Sequence, residues 1–333
     1  MIGTRFFPGQ GLGNQLWVYA AARSIAEYHQ TSFRVLDAHL FKGDSFLDIK
    51  TMAGNLPEHA ESAPASMDGA RLLKEQLFYD HELKYFASAY DQRVETIKGD
   101  TIIEGLFQSE KYFYSNLSRL REWVRLKDDY LISSRKHSDQ CVINVRGGEY
   151  KRHQSLILPR SYWEHAINNM KSRYGAQDFL IVTDDANYAS RLLPKIPILE
   201  GNIGDCYAAL HGAGYIIVSN SSFSYFPIKT RNDKPPVIAP FLWSRPCNQQ
   251  WRWASPANLY EGWLWQSMDG ELIDLQTCLN VADKTLAFYL NELNVCTTER
   301  IILKDTRLQK IIPTRLKLLI KKALSKLFPM WIG

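Results

Sequence analysis

Five segments of this 333-residue chain stand out, three of them with residue types suited to gripping a phosphate-bearing ligand. In Gly9-Gln10-Gly11-Leu12-Gly13-Asn14-Gln15, glycines between a strand and a helix let backbone amides approach an anion such as pyrophosphate, which a helix N-terminus favours. Asp37 follows at about the 20-residue distance of a ribose-binding acid in a dinucleotide site, although the third glycine of that pattern falls on Asn14. A dinucleotide loop and a plain structural turn both remain open for this segment. In Asn144-Val145-Arg146-Gly147-Gly148-Glu149-Tyr150, a permanently charged arginine at a strand end can bind a diphosphate through two parallel hydrogen bonds, or simply pair with Glu149. Thr183-Asp184-Asp185 ends another apolar strand, where paired acids suit ribose hydroxyls, base N–H donors or a helix cap. The acids are adjacent and followed by Ala186, so no Asp-x-Asp metal motif is formed.

In Val218-Ser219-Asn220-Ser221-Ser222-Phe223-Ser224, a run of hydroxyls and an amide offers donors to phosphate oxygens ahead of a helix, or caps that helix. The fifth segment, Leu106-Phe107-Gln108-Ser109-Glu110-Lys111-Tyr112-Phe113, reads by itself as a strand end running into a helix with surface charges.

The elements that must position these residues alternate. Ile2 to Phe7 reads as a strand, Asn14 to Gln30 as a helix and Phe33 to Asp37 as a second strand, the opening of a parallel α/β sheet. Residues 42–80 give mixed signals. Val94 to Ile97 and Thr101 to Phe107 read as strands, and Ser109 to Leu126 as helical. After Asp128-Asp129 the pattern restarts, with strands at Cys141 to Arg146, Phe179 to Thr183, Tyr215 to Val218 and Pro236 to Ala239, and a helix from Arg160 to Tyr174. Two successive α/β units are expected, with ligands beyond the carboxyl ends of their strands. We divide the chain into residues 1–135, residues 136–275 and a helical extension over 276–333.

Composition is that of a globular protein, with 45% hydrophobic and 23% charged residues. Five scattered cysteines (Cys141, Cys206, Cys247, Cys278, Cys296) with no CxxC pair argue against a disulfide framework or a zinc site. The opening Met1-Ile2-Gly3-Thr4-Arg5 lacks a leader pattern and no run of about 18 apolar residues occurs, so a cytoplasmic protein is expected. The net charge of +5 is local, because nine basic residues lie between Arg300 and Gly333 against one acid, Asp305. The rest is slightly acidic, which argues against nucleic acid as a partner. Within that tail Leu316, Leu319, Ile320, Ala323, Leu324 and Leu327 recur at helical spacing among Arg315, Lys317, Lys321, Lys322 and Lys326. Such a basic amphipathic helix suits peripheral contact with the inner face of an anionic membrane, or packs back on the protein.

Taken in order, GLGNQ, FQSEKYF, the strand–Arg–turn–acid–Tyr segment, TDD and SNSSFS resemble the bacterial alpha-1,2-fucosyltransferases, with more distant similarity to protein O-fucosyltransferases. The resemblance covers residues 5 to about 240. It implies a GT-B-like architecture, two Rossmann-like α/β domains facing across a cleft, with GDP-fucose as donor, inversion at the anomeric carbon and no metal or other cofactor. It also implies a galactoside 2-alpha-L-fucosyltransferase acting on a glycan acceptor, carried on a lipid, in surface polysaccharide (O-antigen) synthesis.

Carried over by position, Gly11, Gly13, Asn14, Arg146, Thr183, Asp184, Asn220, Ser221, Ser222 and Phe223 lie on the donor side, and Gln108 and Glu110 on the acceptor side. Arg146 matches the first arginine of the family's His-x-Arg-Arg-x-Asp motif, whose histidine is Asn144 here, second arginine Gly147 and aspartate Glu149. The usual Ser-Trp-Trp-Gly is Ser224-Tyr225-Phe226-Pro227. The missing arginine removes a charge from the donor site, so another nucleotide sugar, or binding without turnover, stays open beside fucosyl transfer. Arg146 is the expected transition-state stabiliser, and Glu149 and His153 are the candidates for a general base.

Overall fold

The computed structural model describes residues 1–53, 67–80, 85–113, 116–152, 156–243, 252–253, 255, 258–292 and 295–296. The expected basic helix within 315–331 and His153 lie outside the described residues.

The first unit contains β1 (Ile2–Arg5), α1 (Leu12–Tyr28), β2 (Phe33–Leu36), β3 (Leu47–Ile49), β4 (Met52–Ala53), β5 (Arg71–Lys74), β6 (Leu77–Asp80), β7 (Tyr85–Ser88), β8 (Thr101–Glu104), α2 (Leu120–Trp123), β9 (Val124–Leu126) and α3 (Asp128–Ser134). Its main sheet has the order β4-β2-β1-β8-β5, with β2, β1, β8 and β5 parallel. The second unit contains β10 (Gln140–Val145), α4 (Arg160–Tyr174), β11 (Asp178–Thr183), α5 (Ala186–Leu192), α6 (Ile203–Gly212), β12 (Tyr215–Val218), α7 (Tyr225–Lys229), β13 (Val237–Pro240), β14 (Leu264–Gln266) and β15 (Leu272–Ile273). Its order is β11-β10-β12-β13-β14-β15, parallel except at the last pair. Beyond it, α8 (Leu275–Glu292) and β16 (Val295–Cys296) return to the first unit, where β16 pairs with β6.

The two sheets share one topological device. The chain leaves β1 for β2 on one side, and β8 fills the other side; likewise β11 and β12 flank β10. Where successive connections depart in opposite directions, the loops beyond the carboxyl ends spread apart and leave a crevice. In the first sheet that crevice lies between the segments after β1 and β8, and in the second between those after β10 and β12. Four of the five motif segments are therefore brought to two crevices by strand order alone.

α1 joins the units. It is buried on nearly every side, polar Gln15, Arg23 and Ser24 included. Trp17 stacks on Phe113 at 5.3 Å, tilts against Tyr225 at 4.1 Å and stacks on Tyr260 at 5.6 Å, which ties the first unit to an aromatic cluster of the second. A helix with one apolar stripe packs on one partner; α1 is apolar enough all round to be sandwiched between two.

Two local expectations are corrected. Val94 to Ile97 does not form a strand: Gln92–Thr96 is a 3-10 turn, capped because the Asp91 side chain accepts from the Arg93 amide and its carboxylate holds the Arg93 guanidinium. Ser109 to Leu126 is not one helix. It breaks into 3-10 turns at Glu110–Phe113 and Leu117–Arg119, then α2 and β9, because Tyr112 and Phe113 are drawn into the core and β9 pairs antiparallel with β3. A local cap overrides the strand pattern in the first place, and tertiary burial overrides the helical spacing in the second.

Candidate active site at the crevices of the two units

In the second unit, β10 is buried along Cys141–Val145 and delivers Arg146 to the edge of the crevice. The guanidinium pairs with Asp184, Nη1 to Oδ2 at 2.6 Å, both side chains about a third exposed (32% and 27%). The other Asp184 oxygen accepts from the Gly147 amide at 2.9 Å. The alternative pairing of Arg146 with Glu149 is not formed; Glu149 is exposed on the 3-10 turn Gly148–Arg152. Arg146 also lies 5.4 Å from the Tyr150 ring, a cation–π distance.

The two glycines after Arg146 are demanded by Asp184 and Asp185. A Cβ on Gly147 would meet Tyr188 Cδ1 at 2.7 Å and Asp185 Cβ at 2.9 Å, and one on Gly148 would strike the Asp184 carboxylate. Asp185 caps α5 by accepting from the Tyr188 amide at 2.9 Å and is ion-paired with Lys151. The Lys151 hydrogen bond, helped by the Tyr188 amide, holds the Asp185 carboxyl below its ordinary range. Each acid of the pair thus has a cation of its own. Thr183 Oγ1 accepts from the Asp185 amide at 3.0 Å, so its hydroxyl shapes the same turn.

Across the crevice, the segment after β12 is pinned to β10 by the Ser219 amide donating to the Asn144 carbonyl at 3.1 Å. Asn220 donates to the Leu156 carbonyl, and its own carbonyl accepts from the Tyr150 hydroxyl at 3.3 Å. Ser221 Oγ accepts from the Phe223 amide at 3.3 Å, capping a 3-10 turn, and Ser222 Oγ donates to Asn14 Oδ1 at 2.8 Å. The two serine hydroxyls expected on phosphate are engaged within the protein. Phe223 is half-buried, its ring edge-on to Tyr207.

Asn14, at the start of α1, is where the segments meet. Its Oδ1 also accepts from Gln108 Nε2 at 2.8 Å, so one amide oxygen joins the loops after β1, β8 and β12. Gln108 in turn receives Asn258 Nδ2 on its backbone carbonyl at 3.0 Å. Gly13 is a glycine for the same reason: a Cβ there would lie 2.5 Å from the Ser222 carbonyl carbon and 2.6 Å from the Phe223 nitrogen. Gly11, with no atom within 4 Å of a Cβ, meets no such wall. Thus the α1 N-terminus is occupied by the second unit's backbone beside Gly13 and open beside Gly11.

Glu110, expected on the acceptor side, is bound to the second unit. Its carboxylate pairs with Lys229 at 2.7 Å and accepts from the Tyr225 hydroxyl at 2.9 Å and the Glu261 amide at 3.0 Å. It clamps the first unit to α7 of the second. Sequence reasoning missed Lys229 and Asn258, which stand outside any motif, and the role of Tyr225, which lies in the segment replacing Ser-Trp-Trp-Gly but acts only by contact. The five segments do form one connected chain, from Asp184 through Arg146, Tyr150, Asn220 and Ser222 to Asn14 and Gln108. Among the described residues no group of three or more His, Cys, Asp or Glu side chains is placed to hold a metal ion, and no helix is long and apolar enough to cross a membrane.

No family model matches the chain. An Escherichia coli alpha-1,2-colitosyltransferase is 23% identical over 196 residues, spanning 50% of this chain and 68% of the relative. Among solved structures, the fucosyltransferase NodZ from Bradyrhizobium is 14% identical, covering 68% of this chain and 91% of that one at a TM-score of 0.41. FUT1 of Arabidopsis thaliana, in a mutant form with GDP, is 12% identical, covering 71% and 70% of the two chains at a TM-score of 0.43. These structural likenesses are distant. The motif order and the curated relative agree, and by sequence this chain is similar to the fucosyltransferase-like glycosyltransferases.

Proposed function

We propose that this protein is an inverting, metal-independent glycosyltransferase that moves fucose from GDP-fucose to a glycan hydroxyl in an alpha-1,2 linkage. The observation that carries this reading is Arg146, held at the carboxyl end of β10 beside the crevice and linked through Tyr150 and Asn220 to the junction at Asn14. In a GT-B arrangement, residues 136–275 take the donor and residues 1–135 face the acceptor.

The acceptor hydroxyl oxygen attacks the anomeric carbon from the face opposite GDP. A new C–O bond forms as the bond to the diphosphate oxygen breaks, the electron pair leaves with GDP, and the hydroxyl proton passes to a base or to solvent. Glu149, exposed on the turn after Arg146, and His153 are the proposed bases. Charge grows on the diphosphate, and Arg146 neutralises it through the guanidinium N–H groups that its Nη1 contact with Asp184 leaves over. Asp184 then keeps the guanidinium aimed and the Gly147-Gly148 turn closed. Metal independence is supported by chemistry: the two acids best placed to hold a cation, Asp184 and Asp185, already have Arg146 and Lys151.

The name of the colitosyltransferase relative favours a second reading, transfer of colitose, which lacks one hydroxyl of fucose. Use of the Gly9–Gly13 loop for a nicotinamide dinucleotide is disfavoured by the backbone packed on Gly13. We also propose that the basic tail contacts the inner face of the cytoplasmic membrane, and that the acceptor is a lipid-linked glycan of O-antigen synthesis, as the family resemblance implies. The tail contact predicts loss of membrane association on truncation after residue 299.

The decisive experiment is a thermal-shift screen with GDP, GDP-fucose, GDP-mannose, UDP-sugars and NAD(P)H, with and without EDTA. A ligand at 100 times Kd adds about 2.7 kcal/mol of stability. Stabilisation by GDP and GDP-fucose that EDTA leaves intact is expected. Arg146→Ala then lowers turnover at saturating donor by roughly 100–1000-fold. A response to NAD(P)H alone, or normal turnover in Arg146→Ala, refutes the assignment.

A further inference from the structure

Glu75 belongs to none of the five segments. It follows β5 and is only 2% exposed, and among the described residues no cation pairs with it. One carboxylate oxygen, Oε2, accepts from two consecutive backbone amides, Leu106 at 2.6 Å and Phe107 at 2.9 Å. The other, Oε1, accepts from the Tyr112 hydroxyl at 3.4 Å. Its own amide donates to the Glu104 carbonyl at 2.9 Å, so it is fixed from both sides of the turn that follows β8.

That turn is strained. Phe107 adopts φ 48°, a left-handed conformation that a bulky residue avoids, and its ring is fully buried. Gly105 has no room for a Cβ, which would lie 2.4 Å from that of Glu75. The strain serves the next residue: Gln108 leaves the turn aimed at Asn14, where Ser222 of the second unit arrives.

We infer that Glu75 is a positioning residue, whose carboxylate holds the Leu106–Phe107 turn so that Gln108 reaches Asn14 and sets the junction of the two units. The charged and titratable groups facing it are Asp91, Arg93 and Tyr112. Asp91 is itself held by Arg93 through Nε at 2.9 Å and Nη2 at 2.5 Å, and by the Gln76 amide. Arg93 is thus spent on Asp91, while Asp91 adds a repelling charge near Glu75. Burial, reinforced by Asp91 and offset in part by the two amides, raises the Glu75 carboxyl to about 7. An opening of the turn that wets Glu75 returns it to its ordinary range. Opening therefore becomes easier as pH rises from about 4.5 to 7, and levels off above.

The test uses hydrogen exchange on the full chain, read at residues 103–113 and 12–16 and corrected for intrinsic rates. In the wild type the opening equilibrium of 103–113 rises on the order of 50-fold between about pH 5 and pH 8. Glu75→Gln, which keeps size and an acceptor for the amides, loses that rise and keeps its protection. Glu75→Ala exchanges about tenfold or more faster in both segments, a loss that Glu75→Gln does not share. Unchanged pH dependence in Glu75→Gln overturns the inference even if Glu75→Ala fails to fold. So does wild-type protection in a folded Glu75→Ala. Because the argument rests on the proposed function only where the junction borders the donor, GDP binding is measured in parallel. A wild type that binds no GDP sinks the proposed function and leaves the exchange result to decide Glu75.

Discussion

Adding one methyl group at Gly13 tests whether the two units are held at their packed distance. Gly13→Ala places a Cβ 2.5 Å from the Ser222 carbonyl carbon, 2.6 Å from its oxygen and 2.6 Å from the Phe223 nitrogen. All three are backbone atoms, so no side chain can swing aside. Ordinary contact needs about 3.5–4.0 Å, so α1 and the 222–224 turn must part by about 1 Å. Overpacking of this kind typically costs about 1–3 kcal/mol. The same shift stretches the 2.8 Å bond from Ser222 to Asn14, whose loss adds about 1 kcal/mol. At roughly 2 °C per kcal/mol for a chain of this size, the melting temperature should fall by about 4–8 °C. Gly11→Ala is the matched control, because its Cβ meets nothing within 4 Å and its φ of −68° suits any residue. It should melt within about 2 °C of wild type while weakening GDP binding, if the open side of the α1 N-terminus is where phosphate docks. Differential scanning fluorimetry and calorimetric titration with GDP read both quantities. A Gly13→Ala protein that melts with the wild type would refute the argument that Ser222–Phe223 is packed against the α1 N-terminus.

Other perturbations give equally specific outcomes. Lys229→Met strands the Glu110 carboxylate, only 16% exposed, and should cost about 3 kcal/mol in urea unfolding. Adding Glu110→Gln should recover 1 kcal/mol or more, and strict additivity in the double-mutant cycle would show that the clamp is not a coupled pair. His211 is depressed to about 4 by burial and by Arg231, so the folded state resists its protonation. Below its unfolded value near 6.5 the unfolded chain binds the extra proton. The His211 contribution to stability is therefore intact above about pH 6.5 and is lost as pH falls towards 4. Its size is at most about 3 kcal/mol, less after solvent screening at a half-buried site. Glu75, raised to about 7, works in the opposite sense over nearly the same range, so the two partly cancel in the wild type. The difference in melting temperature between wild type and His211→Gln should shrink from pH 7 to pH 4.5, and a constant difference would exclude a buried neutral His211.

Much of the second unit's crevice was legible from residues in order, because the segments after β10 and β12 follow directly on buried strands. A run such as Cys141–Val145, apolar but for Asn144, reads as an interior parallel strand, so the charged residue that follows it, Arg146, emerges at the carboxyl end of the sheet. The helix Arg160–Tyr174 was equally plain, since it ends on Gly175 at φ 72° and is uninterrupted before that.

Strand neighbours were not legible, and they decide which loops share a crevice. Nothing local to Asn14 says that Gln108 and Ser222 converge on its side chain, because those contacts span 94 and 208 positions of sequence. Nor could spacing reveal that Gly13 makes room for backbone while Gly11 does not, or that Glu110 serves Lys229. Glu75 gives no sequence signal at all: a lone acid after a strand reads as surface until folding buries it under two amides. The sequence by itself determined which residues could bind a phosphate and on which strand ends they sit, since hydrophobic runs and charged ends are local properties. Only the tertiary structure decided which of them meet, because pairing, close approach and desolvation belong to neighbours that the chain brings from far away.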